Sequence, residues 1–292
     1  MNVTRYKIFT LLLFCHLIFA NVVYAICEPP FCDPGSEKKF GENIGERFAL
    51  VIGNSSYPGQ AQLANPQNDA TDISLKLQEM GFTVETLTNT DFASMKAAID
   101  RLGSKLIPGA KSVGLFFFAG HGMQQSDQNF LIPVDTVEKI ESSGQVDGNA
   151  VSLNQVVEAM NNAGVSIIVL DACRNNPMAE SISGSGRTLK RAESSASSGQ
   201  TSTTRQVMGS GLAQPPKAKN RALFAYATSP GDTAADGTGH NSPFTTGLLT
   251  SIRKEHRLEE VFAEAAESVR TTTSKKQTPW LTHSLGDVRF YF

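Results

Sequence analysis

Ser112-Val113-Gly114-Leu115-Phe116-Phe117-Phe118-Ala119-Gly120-His121-Gly122 is an apolar run that ends in two glycines flanking a histidine. An unbroken apolar run of this kind is the pattern of a central parallel strand covered on both faces. Two further runs share it: Phe48-Ala49-Leu50-Val51-Ile52, ended by Gly53-Asn54, and Val165 to Leu170, which leads into Asp171-Ala172-Cys173. Helical patterns lie between them. Asn68 to Met80 carries Ile73, Leu77 and Met80 at helical spacing and stops at Gly81, and Asp91 caps a second helix reaching about Leu106. Phe82 to Leu87 alternates like a strand, Phe130 to Val134 is a short extended piece, and Ser152 to Asn161 is helical. Ala222 to Thr228 reads as a strand, Ser242 to Lys254 and Leu258 to Thr271 as helices, and Val288 to Phe292 as a closing extended segment. Strands alternating with helices of these lengths predict an α/β fold with a mainly parallel central sheet and helices on both faces. No internal repeat is present.

The chain has 292 residues, which one α/β domain with a loop insertion can fill. Its first residues place Arg5 and Lys7 before the apolar run Ile8 to Ala20 and then Val23-Tyr24-Ala25, the pattern of a secretory signal peptide over residues 1–25. The alternative is a retained membrane anchor, which the shortness of the run disfavours. Cleavage would export the protein to the periplasm or beyond, with no stable membrane insertion afterwards. The formal charge would move from −2 to −4, because two cations leave and no acid does. Such a chain is a poor partner for nucleic acid. Cys15 leaves with the signal, and Cys27 and Cys32 flank a Pro-Pro turn in a compartment that permits disulfides, so a bridge is expected there. Cys173 remains as the odd thiol. Residues 26–46 read as a tether. Within a domain over 47–292, residues 178–220, rich in Ser, Gly and Thr, read as a flexible linker between a portion over 47–177 and another over 221–292.

Two strand patterns each deliver a reactive side chain at the C-terminal end, where open α/β sheets place their ligand crevice. These are His121 and Cys173. A thiol is a good nucleophile only as thiolate, and an imidazole that takes its proton can later protonate a leaving amine, so the pair implies acyl transfer. Gly120 and Gly122 leave the ring unobstructed, and the backbone amides of Gly122 and Cys173 are candidate oxyanion donors.

The segments Arg47 to Asn54, Asn68-Asp69-Ala70, Phe117 to Gly122 and Asp171-Ala172-Cys173-Arg174 resemble the large-subunit core of the caspase, metacaspase and bacterial orthocaspase superfamily. Tyr226 to Gly237, followed by Asn241-Ser242-Pro243-Phe244-Thr245, resembles the small-subunit portion of its bacterial members. The histidine about fifty residues before the cysteine agrees with the caspase spacing. The resemblance implies a caspase-hemoglobinase fold, a His121–Cys173 dyad, and cleavage after Arg or Lys with Asp69 and Asp171 in the P1 pocket, where two carboxylates suit a guanidinium. Asp232 and Asp236, in the Gly-rich loop, are candidates for its rim. Two positions depart from the pattern: Ala119 stands where metacaspases often carry Ser, and Arg174-Asn175-Asn176-Pro177 replaces their His-Ser-Gly. The resemblance leaves calcium activation open, but no metal site and no cofactor can be assembled from these residues. The expected partner is a polypeptide substrate and the expected state a monomer. A non-proteolytic binding module of the same fold and a legumain-like hydrolase of different P1 preference are the competing readings. Cleavage of the linker by the enzyme itself is expected near Lys190 or Arg191.

Overall fold

The structure, a computed structural model, describes residues 45–108, 111–173, 213–229, 234–286 and 288–292. The signal, the cysteine pair at 27 and 32, nearly all of the tether and most of the linker lie outside the described residues. Eight strands are described: β1 (Arg47–Gly53), β2 (Thr83–Thr88), β3 (Val113–Gln125), β4 (Gln128–Leu131), β5 (Val151–Ser152), β6 (Val165–Cys173), β7 (Arg221–Tyr226) and β8 (Trp280–His283). The helices are α1 (Pro66–Glu79), α2 (Phe92–Lys105), α3 (Val137–Ser143), α4 (Leu153–Met160), α5 (Pro243–Ser251) and α6 (Leu258–Thr272). The main sheet runs in the order β2-β1-β3-β6-β7-β8. All its neighbours are parallel except β8, which is antiparallel to β7. This is the expected α/β sandwich.

Alternation along the strands divides the core in two. Leu50, Ile52, Phe116, Phe118, Ile168 and Leu170 face α2 and α4, whereas Val51, Leu115, Phe117, Ile167 and Val169 face α1, α5 and α6. Phe116, Phe117 and Phe118 are all fully buried, each contributing about 1.5–3 kcal/mol of hydrophobic stabilisation. A strand that buries both faces must be apolar at every position, which is why β3 reads as an unbroken run. The two helices over the first face are set by their caps. Asp91 accepts the Ser94 N–H at 2.8 Å, and Ser152 and Gln155 form a capping box.

The sheet's switch point positions the site. From β1 the chain passes outward to β2 and then returns to the other side of β1 as β3. The loops after β1 and β3 therefore diverge and leave a crevice at their carboxyl ends.

Three elements differ from expectation. β3 does not stop where the apolar run meets its glycines but continues to Gln125, because beyond Gly53 it loses β1 and pairs on that side with β4, from Gly122↔Leu131 to Gln125↔Gln128. The closing segment 288–292 is not a strand. It buries Val288, Phe290 and Phe292 and makes one bridge, Arg257↔Tyr291. Arg47 holds it, donating to Tyr291 O at 3.2 Å with its guanidinium over the Phe290 ring. The edge of the sheet is instead β8. Finally, residues 213–220 at the end of the expected linker are fixed in place. Ala213 exchanges both main-chain bonds with the Asn129 side chain, and Asn220 Nδ2 donates to Met160 O and Ala163 O. Among the described residues no helix is long and apolar enough to cross a membrane.

Candidate active site

β3 and β6 lie side by side, in a register that sets His121 directly opposite Cys173 at the ends of the two strands. The Cys173 side chain lies outside the described residues. The imidazole is buried, 6 % exposed, and tightly held. Its Nε2 lies 2.6 Å from Ala61 O, and its face meets the Tyr57 ring at 4.4 Å between centroids. A carbonyl only accepts, so Nε2 carries the proton and Nδ1 is the basic nitrogen of the neutral ring. Among the described residues Nδ1 has no hydrogen-bond partner. Burial lowers the imidazole pKa below its ordinary value; the Ala61 carbonyl and the charge of Asp236 act in the opposite sense.

Ile132 N–H donates to His121 O at 3.0 Å. In an antiparallel ladder this makes Gly122 and Leu131 a non-hydrogen-bonded pair, so the Gly122 N–H is directed away from β4.

Behind the histidine lies a cluster of acids. Asp69, on the first turns of α1, is 1 % exposed, and Asp171, on β6, is 8 % exposed. One residue ties them together: Ser242 donates its N–H to Asp69 Oδ1 at 3.0 Å and its hydroxyl to Asp171 Oδ2. Thr245 Oγ1 also donates to Asp171, at 2.8 Å, while Ser242 Oγ caps α5 by accepting the Thr245 N–H. Burial and the mutual repulsion of the pair raise Asp69 to about 8, and burial raises Asp171 to about 6 against the pull of its two hydroxyl donors. Both acids thus take up a proton more readily than a solvated carboxylate. Asp236 is the third acid. Its carboxylate accepts the N–H groups of Ala64 and Asn65 at 2.7 and 3.3 Å, just before α1 begins. Asp69, Asp171, Asp236, Ser242 and Gly120 line one narrow pocket.

Of the residues singled out in the sequence, His121 and Cys173 meet at their main chains, and Asp69 and Asp171 converge with Asp236. Asp232 lies outside the described residues. Tyr57 and the Ala61 carbonyl escaped sequence reasoning, and Ser242 and Thr245 entered it only within a family motif and a helix, with no role at the acids. Tyr57 and Ala61 sit in a turn-rich stretch without periodicity, and a backbone carbonyl carries no residue signature at all. Among the described residues no group of three His, Cys, Asp or Glu side chains is placed to hold a metal ion.

Comparison with known proteins bears on the fold and the family. A solved structure, protein GSU0716 from Geobacter sulfurreducens, superposes with a TM-score of 0.54 over 82 % of this chain and 94 % of its own, at 15 % identity, a likeness of fold. The mucosa-associated lymphoid tissue lymphoma translocation protein 1 of Homo sapiens is 28 % identical over 131 residues, 44 % of this chain and 15 % of that protein. Its Mus musculus homolog is 27 % identical over 144 residues, 48 % and 16 %. The chain thus spans only about one sixth of the length of these relatives. A family model of the caspase domain, peptidase family C14, matches residues 46–291, nearly the whole of the described fold. The chain belongs to the caspase-domain family of cysteine peptidases.

Proposed function

We propose that the protein is an endopeptidase that cleaves after Arg or Lys through a His121–Cys173 dyad. The observation that carries this reading is the β3–β6 register, which puts the two residues opposite each other with the imidazole already committed at Nε2. Nδ1 takes the thiol proton, the thiolate adds to the scissile carbonyl, and the oxyanion receives the Gly122 and Cys173 amides, as supported by the direction of the Gly122 N–H. The imidazolium then protonates the leaving amine, and water attacks the thioester to restore the thiol. Ser242 holds Asp69 and Asp171 in one narrow pocket, and a pair of carboxylates suits the two donor edges of a guanidinium. The enzyme acts after export, with residues 1–25 removed, and cleaves its own Ser/Gly/Thr-rich connection between β6 and β7.

A panel of fluorogenic peptides differing only at P1 tests this. Turnover is expected with Arg and Lys, and Cys173→Ala and His121→Ala are expected to lose at least about a thousandfold in kcat with circular dichroism unchanged. Cleavage confined to Asn or Asp peptides would transfer the protein to the legumain-like reading, and no cleavage of any peptide by a folded, reduced chain would make it a binding module.

A further inference from the structure

Beyond Gly53 the central sheet loses a strand. Asn54 N–H makes the last main-chain bond across to Ala119 O, at 2.9 Å, and His121, two residues further along β3, faces the space where β1 would have continued. Tyr57 occupies that space with a side chain. Its hydroxyl accepts the His121 N–H at 3.0 Å and donates to Ile132 O at 2.9 Å. The direction is fixed, since an N–H can only donate and a carbonyl can only accept. The hydroxyl therefore replaces the missing strand and bridges β3 to the residue that follows β4. Its approach requires glycine at position 120: a Cβ there would stand 2.7 Å from Tyr57 Oη, at a φ of +153°.

Tyr57 is also part of the unit that holds the other edge of the imidazole. Ser55 O accepts both Tyr57 N–H, at 2.9 Å, and Leu63 N–H, at 3.0 Å, closing the loop that carries the Ala61 carbonyl onto Nε2. Ser55 and Ser56 are fixed in turn by the Asn89 side chain, which accepts both their N–H groups at 2.9 Å. The histidine is thus gripped at its main chain, at one ring face and at Nε2 by a single loop, and Tyr57 supplies two of the three grips.

We propose that Tyr57 is the positioning residue of the dyad: it holds the His121 main chain and ring face so that Nε2 stays on the Ala61 carbonyl and Nδ1 is delivered to the thiol. The proposal rests on His121 and Cys173 being the dyad. A role in packing alone would change stability and leave the chemistry of the folded fraction untouched. Positioning instead acts on kcat, because a reacting group displaced by about 1 Å can lose a hundredfold in rate.

The experiment compares Tyr57→Phe, Tyr57→Leu and His121→Ala in the full chain, on the best substrate of the P1 panel, with thermal melts for each. Tyr57→Phe keeps the ring and loses the hydroxyl; kcat is expected to fall about tenfold with KM within about twofold of wild type. Tyr57→Leu loses both grips, and kcat is expected to fall about a hundredfold. In a Cys173→Ala background, the His121 imidazole followed by NMR is expected to titrate at higher pH in Tyr57→Leu, where water reaches the ring, and close to the parent in Tyr57→Phe. A folded Tyr57→Leu protein with unchanged kcat and unchanged imidazole titration overturns the proposal. If that variant does not fold, Tyr57→Phe decides, and a kcat within about twofold of wild type overturns the proposal. Retained activity in His121→Ala would remove the dyad reading itself, whereas its loss there alongside unaffected Tyr57 variants removes only the role of Tyr57.

Discussion

Asp69 and Asp171 set two carboxylates side by side and largely shielded from water, and the pH response of such a pair runs opposite to that of an ordinary salt-bridged acid. Both folded pKa values lie above the unfolded value of 3.8. The native chain therefore binds more protons than the unfolded one between about pH 4 and pH 8. Stability on this account is greatest below that window and declines as pH rises through it. Asp69→Asn, which keeps an oxygen for the Ser242 N–H, should accordingly raise the melting temperature at pH 8 and leave it nearly unchanged at pH 4. A gain of ~1 kcal/mol at pH 8 corresponds to about 2–4 °C. The same substitution should cut kcat/KM for Arg peptides, since a neutral amide cannot answer a guanidinium. Melts at the two pH values, alongside kinetics, check both, and equal melting shifts at pH 4 and pH 8 would show that Asp69 carries no shared proton. That these acids belong together was readable from the sequence only through family resemblance. One lies on a helix and the other on a strand, and Ser242, the residue that joins them, shows locally only as the cap of α5.

Element by element, the legible parts are those whose physics is local. The double-faced burial of β1, β3 and β6 leaves an unbroken apolar run, and Asp91 and Ser152 mark helix starts by side-chain caps that bond only a few residues away. What the sequence hides is decided at a distance. β8 has four residues, none fully buried, and exists because β7 offers it an edge. The tail 288–292 alternates as a strand would, but its apolar residues answer to the core beneath it and to Arg47, with no ladder alongside. The length of β3 beyond Ala119 depends on β4 arriving as a second partner. At α5 the local and the distant meet in Ser242, which caps the helix and holds both acids. Ser242→Ala is expected to cost about 1 kcal/mol for the lost cap and to lower kcat/KM for Arg peptides by about tenfold as Asp171 loses a donor. Chemical denaturation and steady-state kinetics measure the two effects, and a cap penalty with kinetics unchanged would confine Ser242 to the helix.

For the whole molecule, the connection between β6 and β7 joins two neighbouring strands at the middle of one sheet. The six paired positions from Val165↔Arg221 to Leu170↔Tyr226, together with the bonds of Ser242 and Asp236 to the first portion, should keep the halves together after a cut. Cleaved protein is therefore expected to elute as one species in native gel filtration and as two on a denaturing gel; separation under native conditions would contradict the shared core. Lys217 and Lys219 lie in the held stretch next to Asn220, so scission is expected at Arg187, Lys190, Arg191 or Arg205 in preference to them.

The Asn129 clamp on Ala213 bears on how such a cut would depend on dilution. The connection leaves β6 at Cys173 and is gripped again at Ala213 by the hairpin that follows His121, so its basic residues are tethered at both ends to the site that would cut them. Tethering of this kind presents a scissile bond at an effective concentration in the millimolar range, far above that of a dilute protein solution. Self-scission should therefore be first order, with a half-time that stays the same when the enzyme is diluted a hundredfold. Asn129→Ala, which frees the connection as far as Lys219, should slow it and leave turnover of a short peptide unchanged. A half-time that lengthens in proportion to dilution would mean that one molecule cuts another.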